Sequence, residues 1–165
     1  MDLSFFPFIF VGDTHGFLND FVKQKEVIES VKPDFVLAEQ MQDINFLVGD
    51  DYSKRSSIDY LDFKKMKPLV ELCKRLKINL IGIDFKEFGF DDRFKKVING
   101  GRMPSKEEEI KINEIIRKRE NHHLKIIKQY QNSTKRPLVI LIGTWHLRKD
   151  SLLMKDLDNY LGNDF

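Results

Sequence analysis

The sequence has a single cysteine, Cys73, among its 165 residues. A lone cysteine excludes an intrachain disulfide and any zinc site built mainly from cysteine, because both need several thiols. The sequence also has little net charge, since 28 Lys and Arg residues are nearly balanced by 26 Asp and Glu residues. A formal net charge of +2 excludes strong nucleic-acid binding through bulk positive charge, and we expect no nucleic-acid partner.

Long apolar runs are also missing from the sequence. No run approaches the roughly 20 residues that a membrane-spanning helix needs. The apolar stretch 3–11 follows Asp2 and lacks both the positive residues and the cleavage site of a secretory signal. We therefore predict a cytoplasmic protein that does not enter a membrane.

What the sequence does contain is typical of one globular domain. Hydrophobic residues make up 41% and charged residues 33% of a 165-residue chain. Repeats, low-complexity tracts and linkers are missing, so we predict a single domain over residues 1–165.

Four short apolar runs have the character of buried strands. Each is nearly continuous, with little alternation of apolar and polar residues, which is typical of parallel strands covered on both faces. The runs are 6–11, 35–38, 78–83 and 138–142. Together with the helical patterns that separate them, they predict an α/β domain with a mainly parallel sheet flanked by helices.

The strongest helix signal is the capping box of Ser105 and Glu108, which predicts a long helix ending near Gln131. Apolar spacing predicts three further helices, over 17–31, over 66–76 with Pro68 in the first turn, and over 150–161. Two stretches without a regular pattern, 40–57 and 86–103, are predicted to be loops.

A titratable residue follows each apolar run, at the carboxyl edge of the predicted sheet, where all its strands end. Ligands bind at this edge in open parallel sheets. The residues are Asp13 and His15, Glu39, Asp84, and His146, in the order of the runs. Asp13 and Asp84 also suit the N-cap of a following helix, so both interpretations stay open. Glu is a poor cap and is rarely buried unpaired, so Glu39 is a candidate functional residue.

The long helix adds a candidate from within its apolar stripe. The stripe of isoleucines that begins at Ile112 continues in mid-helix at Arg119 and at His122 or His123. A charged group on an inward-facing stripe needs a partner, so we expect Arg119 to point at the carboxyl edge. Whether either histidine does so stays open, since the stripe could also rotate into solvent.

These positions together resemble a known superfamily, that of Tiki proteases, TraB proteins, haem-binding ChaN lipoproteins and erythromycin esterases. The family pattern has a Gly-x-x-His motif after an early and a late strand, a Glu ending the second strand, and an Arg-acidic pair on a helix. The matching positions are Gly12 and His15, Lys32-Pro33-Asp34 before the strand that ends at Glu39, Ile83-Asp84, Arg119-Glu120, and Gly143 and His146. The chain resembles a compact TraB-like member.

The resemblance implies hydrolysis of an amide or ester bond in a small-molecule or peptide substrate. It implies catalytic roles for His15, Glu39, Arg119 and His146, with Arg119 stabilising an oxyanion. The two histidines and Glu39 would form an open site for a divalent transition metal, Zn, Mn or Co, that activates water. The esterase branch implies acid–base chemistry by His and Glu on water without a metal.

The same edge predicts the substrate contacts, which are Asp13, Asp84, Arg93, Trp145 and Arg148. TraB proteins carry an Arg just after the Asp of the third strand, where this chain has Phe85. Arg93 and Arg148 are the candidates to supply that missing charge. The oligomeric state stays open.

Two other functions stay open. The haem-binding branch implies a ligand-binding protein without turnover, and the candidate iron ligands are then Tyr52, Tyr60, His122 and His123. The segment 12–16 also resembles the first motif of calcineurin-like metallophosphoesterases, although their later Asp and His motifs are missing. Nucleophilic catalysis is disfavoured, because Cys73 lies on an apolar helix face and no Gly-x-Ser-x-Gly elbow is present.

Overall fold

The computed structural model describes residues 6–14, 18–51, 63–98 and 100–162. A four-stranded sheet is formed by β1 (Phe8–Asp13), β2 (Phe35–Ala38), β3 (Asn79–Gly82) and β4 (Leu138–Gly143). The helices are α1 (Leu18–Val31), α2 (Phe63–Leu76), α3 (Asp92–Ile98), α4 (Lys106–Gln131) and α5 (Leu152–Gly162). Every pair of neighbouring strands is parallel, which confirms the predicted α/β class.

Helices cover both faces of the sheet, which explains why the strands are continuously apolar. On one face, Ile28 of α1 and Leu72 of α2 pack against the sheet. On the other face, Ile127 of α4 and Leu153 of α5 do the same. Cys73 is fully buried in the first of these cores, and burial raises the pKa of its thiol to about 12. Within the described ranges, no helix combines the length and the apolar character that spanning a membrane requires.

Two helices differ from the sequence prediction. α2 begins at Phe63, so Pro68 lies inside the helix and not in its first turn. Because proline has no backbone N–H, one hydrogen bond of the helix is missing there. α3 lies inside a stretch that was predicted to be a loop. Its seven residues are too few for a helical period to emerge, and its local signal is Asp91, whose carboxylate accepts a hydrogen bond from Phe94 N at 2.9 Å.

The strand order β1-β4-β2-β3 decides which residues meet at the carboxyl edge. β4 lies between β1 and β2, with Gly143 paired to Asp13 and Leu141 paired to Ala38. The residues that follow β4 therefore lie between those that follow β1 and those that follow β2. His146 and Glu39, which follow β4 and β2, are brought together in this way.

The loop after β2 crosses β3 in close contact at Gly82. The Gly82 backbone N–H donates to Ile44 O at 3.0 Å and to Asn45 Oδ1 at 3.0 Å. A Cβ at this position would meet backbone atoms, with Gln42 C and Ile44 N both at 2.8 Å. Only glycine leaves room for the crossing that orients the loop after Glu39.

We expect Gly82→Ala to lower the free energy of unfolding by about 3 kcal/mol, because the methyl group overlaps backbone that cannot rotate away. Urea unfolding followed by circular dichroism measures the loss. Gly12→Ala is the control, since its Cβ would meet a side-chain atom, Thr144 Cγ2 at 2.9 Å, that can move by rotation. Equal losses in the two variants would contradict the role assigned to the crossing.

Candidate active site

Buried polar residues meet at the carboxyl edge and form one connected group. We call this group the polar cluster, and its members are Glu39, Asp84, Arg119, Glu120, His123 and His146. Glu39 follows β2, Asp84 follows β3, and Arg119 comes from the middle of α4. Their exposed fractions are 2%, 0% and 8%, so the charges are held away from bulk water. Buried charges need partners, and each of these three has them.

Arg119 is the cation at the centre of the polar cluster. Its Nε donates to Asp84 Oδ1 and Oδ2 at 3.2 and 3.0 Å, and its Nη2 donates to Asp84 Oδ2 at 2.5 Å. The same Nη2 donates to Glu39 Oε1 at 2.6 Å. Among the described residues, Nη1 has no hydrogen-bond partner. Arg119 therefore points at the carboxyl edge, as its stripe predicts, and its Nη1 group makes no hydrogen bond to the described residues.

Glu39 is held as a carboxylate from two sides. Its Oε2 accepts a hydrogen bond from Gly143 N at 2.6 Å, and its Oε1 lies 3.6 Å from His146 Nε2. Burial alone would raise the pKa of this carboxyl, but the contact with His146 and the charge of Arg119 hold it well below its usual range. Glu39 is thus a fixed negative charge between a guanidinium and an imidazole.

His146 is oriented by Glu120, a residue of α4. His146 Nδ1 lies 2.9 Å from Glu120 Oε1, and the other Glu120 oxygen accepts from Leu152 N at 2.9 Å. Burial lowers the pKa of His146, whereas the carboxylates of Glu120 and Glu39 raise it to about 9. At neutral pH the ring therefore carries two protons and donates to Glu120 through Nδ1. The sequence indicates Glu120 only through the family resemblance, as the acidic residue that directly follows Arg119.

The two adjacent histidines of α4 have different surroundings. His123 is fully buried in the polar cluster, with its Nε2 3.5 Å from Asp84 Oδ2 and its ring edge-on to His146 at 5.1 Å. Among the described residues, neither nitrogen of His123 has a hydrogen-bond partner. His122 instead stacks on Phe85 at 4.4 Å, outside the cluster. Of the two histidines, His123 is therefore the one that points at the carboxyl edge.

Two of the predicted substrate contacts bind protein groups elsewhere. Asp13 accepts hydrogen bonds from the side-chain amides of Gln24, at 2.9 Å, and Gln40. Arg93 lies on α3, and its Nε donates to Glu108 Oε1 at 2.7 Å, near the start of α4. The structure therefore does not bring Arg93 into the polar cluster, because the short helix α3 turns it towards α4.

The other predicted substrate contacts lie at or beside the polar cluster. Asp84 is one of its members. Trp145 and Arg148 belong to the turn 144–148, which we call the His146 turn, and their side chains lie on its solvent side. His15, Tyr52 and Tyr60 lie outside the described residues, so the predictions made for them stay predictions.

A metal ion held by Glu39 and His146 fits the described geometry poorly. Both oxygens of Glu39 already accept hydrogen bonds, one of them from Arg119, and the raised pKa of His146, about 9, keeps its Nε2 protonated at neutral pH. A metal ligand needs an imidazole nitrogen without its proton and a free carboxylate lone pair. Within the described ranges, no group of three or more His, Cys, Asp or Glu side chains could hold a metal ion. The ligand set of His15, Glu39 and His146 stays a prediction.

Comparison of the chain with family models, with curated proteins and with solved structures finds no match. The resemblance to the Tiki and TraB superfamily therefore rests on the motif residues named above. The function has to be argued from the site itself.

We expect Arg119→Met to lower the free energy of unfolding by about 3–5 kcal/mol, because it leaves two buried carboxylates without their cation. Arg117→Met is the matched control, since Arg117 is exposed on the same helix and its loss should change stability by no more than about 0.5 kcal/mol. Urea unfolding at neutral pH measures both variants. Similar losses in the two would contradict the central place of the Arg119 ion pairs.

The loss of unfolding free energy in Arg119→Met depends on pH because of Asp84. Burial raises the pKa of Asp84, but the nearby His123 ring and the hydrogen bonds from Arg119 bring it below its ordinary value. Its ionised form therefore contributes stability above the pKa of the unfolded chain and loses that contribution as the pH falls. The difference in unfolding free energy between the parent chain and Arg119→Met should narrow as the pH falls below about pH 4, the ordinary pKa of an Asp side chain. A gap that does not change with pH would contradict this assignment.

Proposed function

We propose that the chain is a hydrolase of an amide or ester bond and that the polar cluster is its active site. The observation that carries the proposal is the position of Glu39 Oε1, 2.6 Å from Arg119 Nη2 and 3.6 Å from His146 Nε2. A carboxylate, a guanidinium with a free donor and an imidazole oriented by a second carboxylate are the groups that acid–base hydrolysis uses. They lie at the carboxyl edge, where substrates bind in sheets of this kind.

The contacts suggest one role for each group. His146, fixed through Nδ1 by Glu120, presents Nε2 as the general acid that protonates the leaving group. Glu39 is the nearest carboxylate to that nitrogen, and its negative charge keeps Nε2 protonated until the proton is transferred. The proton that the attacking water loses passes to solvent. Arg119 Nη1 is the donor left to stabilise the oxyanion that forms on the substrate.

Water is the nucleophile in this proposal, because Cys73 is unsuited to that role. The Cys73 thiol lies in the core formed with α1 and α2, and burial raises its pKa to about 12. A thiol that is neither ionised nor accessible does not attack a carbonyl.

Activity against an ester tests the proposal. We expect the parent chain to hydrolyse ethyl acetate, whose alkoxide leaving group needs a proton, and His146→Gln to lower kcat roughly 100-fold or more, because the general acid is lost. Arg119→Lys should lower kcat more than it raises KM, since Lys lacks the planar fork that reaches both carboxylates and the substrate. Arg117→Lys serves as the control. Full activity in His146→Gln, with its fold verified by circular dichroism, would contradict the proposed roles.

The metal content of the purified protein distinguishes hydrolysis without a metal, as proposed here, from the metal-dependent hydrolysis that the resemblance implies. Because Arg119 already neutralises Glu39, we expect less than about one transition metal ion per chain after purification without chelators or a His-tag. Elemental analysis of the parent chain and of His15→Ala measures the content. About one ion per chain, lost in His15→Ala, would support the metal-dependent hydrolase instead. About two ions would support the phosphoesterase alternative.

A further inference from the structure

The solvent side of the His146 turn carries an aromatic platform with a cation stacked on it. Trp145 is the single tryptophan of the sequence, and 55% of its surface is exposed. The guanidinium of Arg148 lies over the indole ring, with its Cζ 3.6 Å from the ring centroid. At this distance the attraction between the cation and the ring holds the guanidinium over the indole.

Arg148 keeps most of its hydrogen-bond donors free. Its Nε lies 3.4 Å from Asp150 Oδ1, whose side chain is 73% exposed and weakly held. Among the described residues, neither Nη1 nor Nη2 of Arg148 has a partner. Two free Nη groups in one plane match the two oxygens of a carboxylate or a phosphate. The stack fixes that plane in advance, so less conformational entropy is lost when an anion binds.

The platform is tied to the active site through the backbone of its own turn. His146 lies between Trp145 and Arg148 in the sequence and points the opposite way, into the polar cluster. Glu120 holds the His146 ring, and Ser151 Oγ donates to His146 O at 2.8 Å. The same contacts therefore fix the imidazole inside and the platform outside.

We propose that Trp145 and Arg148 form a subsite for an oxyanionic group, a carboxylate or a phosphate ester, that the substrate carries away from its scissile bond. That the ligand is a substrate rests on the proposed hydrolase function. The Arg148 fork binds the two oxygens, and the indole face packs against the adjoining part of the substrate. Binding energy gained there positions the scissile bond for the groups of the polar cluster.

Tryptophan fluorescence tests the subsite directly, because Trp145 is the only source of the signal. The full chain is titrated with sodium acetate, with inorganic phosphate and with neutral acetamide at constant ionic strength. We expect a saturable change in emission with an oxyanion and none with acetamide, since only the anions accept two charge-assisted hydrogen bonds. Saturation by acetate alone assigns a carboxylate, and saturation by phosphate alone assigns a phosphate ester.

Two surface variants complete the binding test. Arg148→Gln removes the fork and should raise the dissociation constant of the anion roughly tenfold or more. Lys149→Gln removes the adjacent positive charge and leaves the stack in place, so the constant should change by less than roughly twofold. Equal weakening in the two variants, or no saturable change with either anion, overturns the subsite.

Two esters distinguish a failure of the subsite from a failure of the proposed function. Para-nitrophenyl acetate is neutral, whereas mono-para-nitrophenyl succinate carries a free carboxylate. The preference for the succinate ester, as a ratio of kcat/KM values, should fall roughly tenfold in Arg148→Gln and persist in Lys149→Gln. Saturable anion binding with hydrolysis of neither ester would support the oxyanion site and overturn the hydrolase. Hydrolysis of both esters with the same ratio in all variants would overturn the subsite alone.

Discussion

The contact of Arg119 with two buried carboxylates is the interaction on which the rest of the structure depends. Glu39 and Asp84 follow neighbouring strands and would repel each other in a space that excludes water. The guanidinium, supplied by α4, offsets both charges and links that helix to β2 and β3 through a single side chain. The desolvation of three charges is tolerated because each is paired with good geometry.

The other polar contacts extend from that ion pair across the carboxyl edge. Glu39, fixed by the guanidinium, holds the backbone at Gly143 and so determines where the chain leaves β4. Glu120 then holds the ring of His146 with one oxygen and the first residue of α5, Leu152, with the other. A series of hydrogen bonds thus connects the ends of three strands with two helices, and the proposed general acid is part of it.

Most of the fold and part of the site could be predicted from the sequence, and the reason lies in particular residues. The strands were predictable because burial on both faces makes them continuously apolar, and Glu39 and Arg119 because each interrupts an apolar pattern. The contacts of Glu120 and His123 could not be predicted. They depend on how α4 is rotated against the sheet, and apolar spacing defines that rotation only coarsely. The contact of Arg93 with Glu108 could not be predicted for a related reason, since the short helix that carries Arg93 is too short to show a helical period.

The central place of β4 in the sheet has a consequence for how the chain folds. Phe8 of β1 pairs with Leu138 of β4, so the two strands meet across about 130 intervening residues. Among the strands that the structure describes, β1 pairs with β4 alone, and β4 separates it from β2. Contacts this distant in sequence make the entropy of loop closure large and folding slow. During synthesis, the carboxyl edge therefore cannot form before β4 has been made, and until then the apolar strand β1 is exposed to contacts with other chains.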